Sequence, residues 1–168
     1  MNDRETIRFI TGPCPLGELL VAESEQGLCA ILMNNSAALL TEELQACFPQ
    51  AHLLPSEALA EKLAQVVQLI ETPSNALSLQ LDLRGSTFQK QVWQALQKIP
   101  PGQTASYTDL ANHLGKPKAA RAIAQACAAN RLAVAIPCHR VVRRDGELSG
   151  YRWGVERKKA LLERESSQ

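Results

Sequence analysis

No stretch of these 168 residues is apolar for long enough to cross a bilayer. The amino terminus, Met1-Asn2-Asp3-Arg4-Glu5, is charged where a secretory leader would carry its apolar core. These absences predict a cytoplasmic protein with no membrane partner. CxxC spacing is also missing. The five cysteines, at 14, 29, 47, 127 and 138, are odd in number and scattered, which argues against a disulfide framework. In a reducing compartment most of them serve as small core residues, with room for one reactive exception. Cys14 and His52 are too far from other ligand types to suggest zinc, so neither a metal nor a cofactor is expected. Positive charge is scarce in the first half: residues 1–83 hold 3 Lys+Arg against 11 Asp+Glu, a balance of −8. Residues 84–168 reverse this with 15 against 6, a balance of +9 behind a net charge of only +1. Such a split predicts a polyanion, nucleic acid above all, contacted by the second half. The alternative is two halves that attract each other.

What is present is an ordinary globular composition, 45% hydrophobic and 21% charged, in a chain long enough for one domain or two small ones. Ile7–Ile10 reads as a short strand. Two further apolar runs, 18–24 and 28–33, flank Glu25-Gln26-Gly27, a hairpin turn signal. Leu39, Leu40, Leu44 and Cys47 follow Ser36 at helical spacing. A second helix is expected from about Ser56, with Leu59, Leu63, Val66, Val67 and Ile70 on one face. Leu77, Leu79, Leu81 and Leu83 alternate with polar residues and predict a half-buried strand. The first domain is therefore read as a small α/β unit over 1–83.

Arg84-Gly85-Ser86 marks the boundary with a second domain over 84–168. Ser86 caps a predicted helix through Phe88, Val92, Trp93, Leu96 and Ile99 that stops at Pro100-Pro101-Gly102. Ser106 and Asp109 resemble a capping box for a short helix ending at Gly115, and Pro117 opens the next, alanine-rich helix. Two helices joined by a tight turn are either a helix-turn-helix or a plain αα-hairpin, and the basic excess favours the former. A basic turn at Arg143-Arg144-Asp145-Gly146, a loop at Ser149-Gly150-Tyr151 and a last helix from Gly154 to Glu165 complete a winged version of it.

Between these elements lies Ile136-Pro137-Cys138-His139-Arg140. Pro137 fixes its own φ and biases Ile136 to an extended conformation, so Cys138 is expected to leave a strand at a defined angle. An adjacent imidazole can accept the thiol proton, and the thiolate is the attacking form. The other reading of these five residues is a buried cysteine at a strand end beside a structural histidine.

Taken together, the stretch 136–142, Ser149-Gly150-Tyr151, Tyr107 and the Arg121/Asn130 pair resemble the O6-alkylguanine-DNA alkyltransferases, closest to the carboxy-terminal half of the Ada-type members. The likeness extends to residues 20–24 and 29–32 and is strongest over 84–165. It implies a ribonuclease H-like α/β domain followed by a winged helix-turn-helix domain. It also implies a DNA repair protein, monomeric and without a cofactor, that acts on double-stranded DNA containing O6-alkylguanine. Such a protein moves an alkyl group, chiefly methyl, from guanine O6 or thymine O4 to Cys138, once per molecule. In this resemblance His139 deprotonates Cys138 through a water, Glu165 orients the imidazole, and Asn130 supports the active-site loop. Tyr107 would give a proton or hydrogen bond to the departing guanine. Arg121 would fill the space of an extruded nucleotide, with Thr108, Lys116, Arg131 and Arg144 as further DNA contacts. Val141, Tyr151 and Trp153 would line the base pocket. Relatives that accept bulky adducts carry small residues where Arg152 and Trp153 stand, and a proline where Ala133 stands, which predicts poor reaction with benzyl adducts. The zinc-binding regulatory part of the Ada fusion has no counterpart in these residues, so the resemblance carries no link to transcriptional control. Two competing functions remain: a cysteine hydrolase built on Cys138, His139 and a carboxylate, and a non-enzymatic winged-helix damage sensor that has no need of the thiol.

Overall fold

A computed structural model describes residues 4–73 and 79–166. The first half forms one four-stranded sheet in the order β3-β2-β1-β4. β1 (Thr6–Cys14), β2 (Gly17–Ser24) and β3 (Gly27–Asn34) make an antiparallel meander. The turn before β3 requires glycine. Gly27 has φ 139°, and a Cβ there would stand 2.6 Å from the Gln80 carbonyl oxygen. α1 (Ala37–Cys47), capped by Ser36 accepting from the Leu39 amide at 3.1 Å, crosses over to β4 (His52–Pro55), which pairs with β1 in parallel. A 3₁₀ turn at Glu57–Leu59 then leads into α2 (Ala60–Glu71). The continuous apolar run of β3 is buried from Leu28 to Met33, as expected of a strand covered on both faces.

The strand expected over 77–83 is a single bridge. Leu81 pairs with Leu28, closed by Leu28 N–H to Gln80 O at 2.9 Å and Asp82 N–H to Leu28 O at 2.8 Å. Leu77 lies outside the described residues. Leu79, Leu81 and Leu83 are partly buried against the core, so their alternation reports one covered face rather than a ladder. The edge of β3 has a second claimant further along: Ile31 bridges Leu132 through Ile31 N–H to Arg131 O at 2.8 Å and Ala133 N–H to Ile31 O at 3.0 Å. β4, which the sequence reading left out, is only four residues long and contributes little periodicity.

In the second half, α3 (Thr87–Leu96) opens with a full capping box between Ser86 and Gln89. β5 (Ala105–Ser106) leads into α4 (Tyr107–His113), whose capping box is Ser106 with Asp109. Gly115, at φ 71°, turns the chain, and α5 (Ala120–Ala129) follows. α5 begins three residues after Pro117, which sits in the turn closed by Ala119 N–H to Lys116 O at 2.9 Å. α4 and α5 pack as a helix-turn-helix, and Trp93 of α3 donates from Nε1 to Ala126 O at 2.9 Å, fixing α5. β6 (Val141–Val142) pairs with β5 in parallel. The wing after it is a turn, held by Arg143 N–H to Glu147 O at 2.9 Å, rather than a long hairpin. α6 (Val155–Ser166) closes the chain.

A candidate active site at Cys138

Cys138 does not leave a strand. It opens a 3₁₀ turn, Cys138–Arg140, and the strand β6 comes after it. Pro137 adopts φ −80° and ψ 63°, and Cys138 N–H bonds to Ile136 O at 2.8 Å. The loop before it is tied down at two places. Leu132 is bridged to the edge of β3, and Asn130, at the end of α5, reaches into the loop from below. Asn130 is 1% exposed. Its Oδ1 accepts from Leu132 N–H at 2.8 Å, and its Nδ2 donates to Ile136 O at 3.0 Å and faces Cys138 Sγ at 3.3 Å. One side chain thus sets the loop and touches the sulfur.

His139 is 1% exposed and its Nε2 lies 2.9 Å from Glu165 Oε2 on α6. Arg140 grips the same carboxylate, from Nε to Oε1 at 3.0 Å and from Nη2 to Oε2 at 2.7 Å, while its Nη1 donates to Ile99 O at 2.6 Å. Burial alone would raise the Glu165 carboxyl. The hydrogen bonds and charges of His139 and Arg140 outweigh it and hold the group at about 2. Glu165 is therefore an obligate acceptor at neutral pH, so His139 Nε2 must carry its hydrogen and Nδ1 must be bare. Burial also lowers the His139 pKa, against the pull of Glu165, which keeps the ring neutral and Nδ1 ready to take a proton.

Burial raises the Cys138 pKa, only partly offset by Asn130, Lys158 and Arg152, so the resting group is a thiol. Deprotonation then belongs to the reaction and not to the resting state.

Tyr107, the first residue of α4, places its hydroxyl 2.5 Å from Ser149 Oγ. Tyr151 sets its ring edge-on to His139 at 6.4 Å and to Trp153 at 5.3 Å, and Val141 is fully buried in β6. Trp153 is 4% exposed. Among the described residues, the buried side-chain polar atoms without a hydrogen-bond partner are His139 Nδ1, Tyr151 Oη and Trp153 Nε1. All three belong to this one cluster. Unpartnered buried polar atoms are uncommon in a folded core, and these three lie on neighbouring rings.

Two family models match the chain: "6-O-methylguanine DNA methyltransferase, ribonuclease-like domain" over residues 7–83, and the "DNA binding domain" of the same family over residues 87–167. The chain belongs to the 6-O-methylguanine DNA methyltransferase family. It is 54% identical over 161 residues to the bifunctional transcriptional activator/DNA repair enzyme Ada of Escherichia coli, covering 95% of this chain and 46% of that protein. It thus spans about half the length of that relative. The constitutive methylated-DNA--protein-cysteine methyltransferase of Bacillus subtilis is 34% identical, with 92% of each chain covered. The crystal structure of Mycobacterium tuberculosis OGT in complex with DNA superposes with a TM-score of 0.81 at 34% identity, over 95% of this chain and 93% of that one.

The remaining residues that the methyltransferase resemblance singled out fall into two groups. Arg121 is exposed on the first turn of α5 without a hydrogen-bond or ion-pair partner among the described residues. Lys116 is exposed in the turn before it, with its ammonium 5.1 Å from the Phe88 ring centroid. Thr108 is half-buried beside Tyr107, and Arg144 is exposed in the wing turn. Arg131 is spent differently: its guanidinium lies 4.9 Å over the Phe48 ring, which Arg84 covers at 5.3 Å. Arg140 was read only as part of the 136–142 motif, without a role, and Lys158 went unnoticed in the sequence. Lys158 shares a helical face with Leu161 and Glu165, and that spacing was the available signal.

Proposed function

We propose that this chain repairs DNA by moving a methyl group from O6-methylguanine to Cys138 Sγ, once per molecule. The observation that carries the reading is the bare Nδ1 of a neutral, buried His139, oriented by Glu165, on the residue next to a buried thiol. Support comes also from the relatives, one named a DNA repair enzyme and the other a methylated-DNA--protein-cysteine methyltransferase. His139 takes the Cys138 proton through a bridging water, and sulfur displaces the guanine oxygen at the methyl carbon. A sulfur–carbon bond forms, the carbon–O6 bond breaks, and its electron pair remains on guanine. Tyr107 then gives guanine the proton it needs to leave as a neutral base. Val141, Tyr151 and Trp153 form the base pocket, and the orphaned hydroxyl and indole N–H face groups brought by the nucleotide. The target atom is stacked within duplex DNA, so Arg121 takes the place of the extruded nucleotide, at a cost of a few kcal/mol in lost stacking. Small alanines on α5 allow close approach to the minor groove. No group in the cluster removes a methyl from a thioether, so the protein is consumed. We place the domain boundary at Leu83–Arg84.

The experiment is a titration of methylated duplex DNA with increasing protein, scoring guanine restored. Restoration should stop at one guanine per chain. Restoration well beyond one per chain would point to turnover and a hydrolase, and lesion binding without restoration to a damage sensor.

A further inference from the structure

Beside the turn that carries Lys116 lies a basic cleft that methyl transfer does not use. It has a volume of about 260 Å³ and separates α3 from the end of α4. Gln91, Gln94 and Lys98 line one wall, and His113, Leu114 and Lys116 the other. The first three follow helical spacing, on one face of α3 and of the turn that extends it, where Lys98 N–H bonds to Ala95 O at 3.1 Å. The second wall is set by the glycine turn that ends α4. Lys116 N–H reaches Ala111 O at 2.9 Å and Gly115 N–H reaches Asn112 O at 3.0 Å, the paired bonds of a Schellman motif. That turn carries the Lys116 ammonium back to α3, 5.1 Å from the centroid of the Phe88 ring.

Every polar side chain in the lining can donate a hydrogen bond, and none is acidic. Between Gly85 and Arg144 the sequence holds a single carboxylate side chain, Asp109, and it is engaged by Ser106 N–H at 3.1 Å. The side chains of Gln91, Gln94, Lys98 and His113 have no hydrogen-bond or ion-pair partner among the described residues. A cation near the carboxyl end of a helix also complements the dipole, which accounts for Lys98 and His113 taken singly. It gives no reason for two unpartnered amides in the same cleft. A concave surface of donors with uncompensated positive charge suits phosphate oxygens.

We propose that the α3–α4 cleft is a second contact surface for the substrate duplex and seats backbone phosphates outside the damaged step. This rests on the duplex binding proposed above and extends it from the α4–α5 turn onto α3. Lys116 joins the two surfaces, since it lines the cleft and shares the exposed turn with Lys118 and Arg121. The chemistry fits a phosphodiester rather than a base edge. Two lysines supply charge, and the glutamine amides and the histidine N–H supply directed donors. Such a contact carries no sequence information. It fixes how the duplex lies across the domain, and with it the register of Arg121 against the base stack. No residue of the cleft touches a reacting atom, so its contribution exists for duplex DNA and vanishes for the free base.

The test is the salt dependence of binding to an unmethylated duplex for wild type, Lys98→Ala and Gln94→Glu. Single-turnover methyl transfer is measured alongside, from methylated duplex at sub-saturating protein and from the free methylated base. Both positions are exposed, and thermal melting controls for folding. Lys98→Ala should reduce the slope of log Kd against log salt by about one, the share of one neutralised phosphate. Gln94→Glu puts a like charge in the cleft and should weaken duplex binding at low salt by roughly ten-fold or more. Both variants should slow duplex repair in step with lost binding and keep the wild-type rate on the free base. Wild-type slope and affinity in both variants would overturn the proposal and leave Lys98 and His113 to the helix ends. Equal losses on duplex and free base would overturn it too, because the cleft would then act through the fold. So would inorganic phosphate that raises the melting temperature at constant ionic strength while the variants bind duplex like wild type, the mark of an independent anion site. In each of these cases wild type still repairs methylated duplex. Wild type that binds no duplex would remove the underlying reading, and the cleft with it.

Discussion

His139 Nε2 and Glu165 Oε2 meet at 2.9 Å although 26 residues separate them, one on the turn that carries the thiol and the other at the end of the last helix. That contact fixes which nitrogen is bare. His139→Phe removes the base and should lower the methyl transfer rate by about 10²- to 10⁴-fold at neutral pH. Glu165→Gln keeps a hydrogen-bonding group of the same shape but frees the tautomer, and should cost less. Stopped-flow or quench measurement of single-turnover rates checks both, and a His139→Phe rate equal to wild type removes the base from the mechanism.

Stability should fall on acidification in two stages. His139 is buried neutral, with its pKa below the ordinary 6.5, so the unfolded chain takes up that proton first and the native state loses ground below about pH 6.5. Glu165 is held at about 2 against an ordinary 4.5, so its contribution is present above about pH 4.5 and is lost as pH falls towards 2. Urea midpoints from about pH 7 to about pH 3 should show both declines. Glu165→Gln should flatten the lower one. A midpoint constant across this range would mean that the triad titrates alike in both states.

Binding to duplex DNA should weaken as salt rises, since Lys116, Lys118 and Arg121 are exposed around the α4–α5 turn and displace counter-ions. Arg131, stacked on Phe48, should contribute little. Arg121→Ala should slow repair of duplex DNA far more than methyl transfer from the free base, because only the duplex requires extrusion. Equal losses on both substrates would place Arg121 in support of the site.

Much of this site was legible because its parts are local. The cysteine, histidine and proline are consecutive, the Ser86 cap and the Ser106–Asp109 capping box depend on residues three apart, and both formed as read. What resisted reading depends on distant partners. The 77–83 alternation could not reveal that β3 divides its edge between Leu81 and Leu132, since pairing is a property of two segments. The protonation of Cys138 could not be read from a neighbouring histidine, because burial decides it. Arg131 reads as one more basic residue until Phe48 appears beneath it. Lys158 looks like a solvated helix residue in a charged run, Arg157-Lys158-Lys159, until its burial is known.

Trp153 packs edge-on against Tyr151 and is almost fully buried, so its ring thickens the wall of the proposed base pocket. Inactivation by the free benzylated base should accordingly be slow in wild type, and Trp153→Gly should accelerate it by ten-fold or more, the order expected when about 1.4 kcal/mol of steric cost is relieved. Rapid inactivation of wild type, or no gain in the glycine variant, would show that the indole does not restrict adduct size.

The central claim is the identity of the acceptor. After reaction with methylated duplex DNA, peptide mapping by mass spectrometry should find one added methyl group, on the peptide containing Cys138, with Cys14, Cys29, Cys47 and Cys127 unmodified. A methyl group on any of those four instead, or an unmodified Cys138 beside restored guanine, would contradict it.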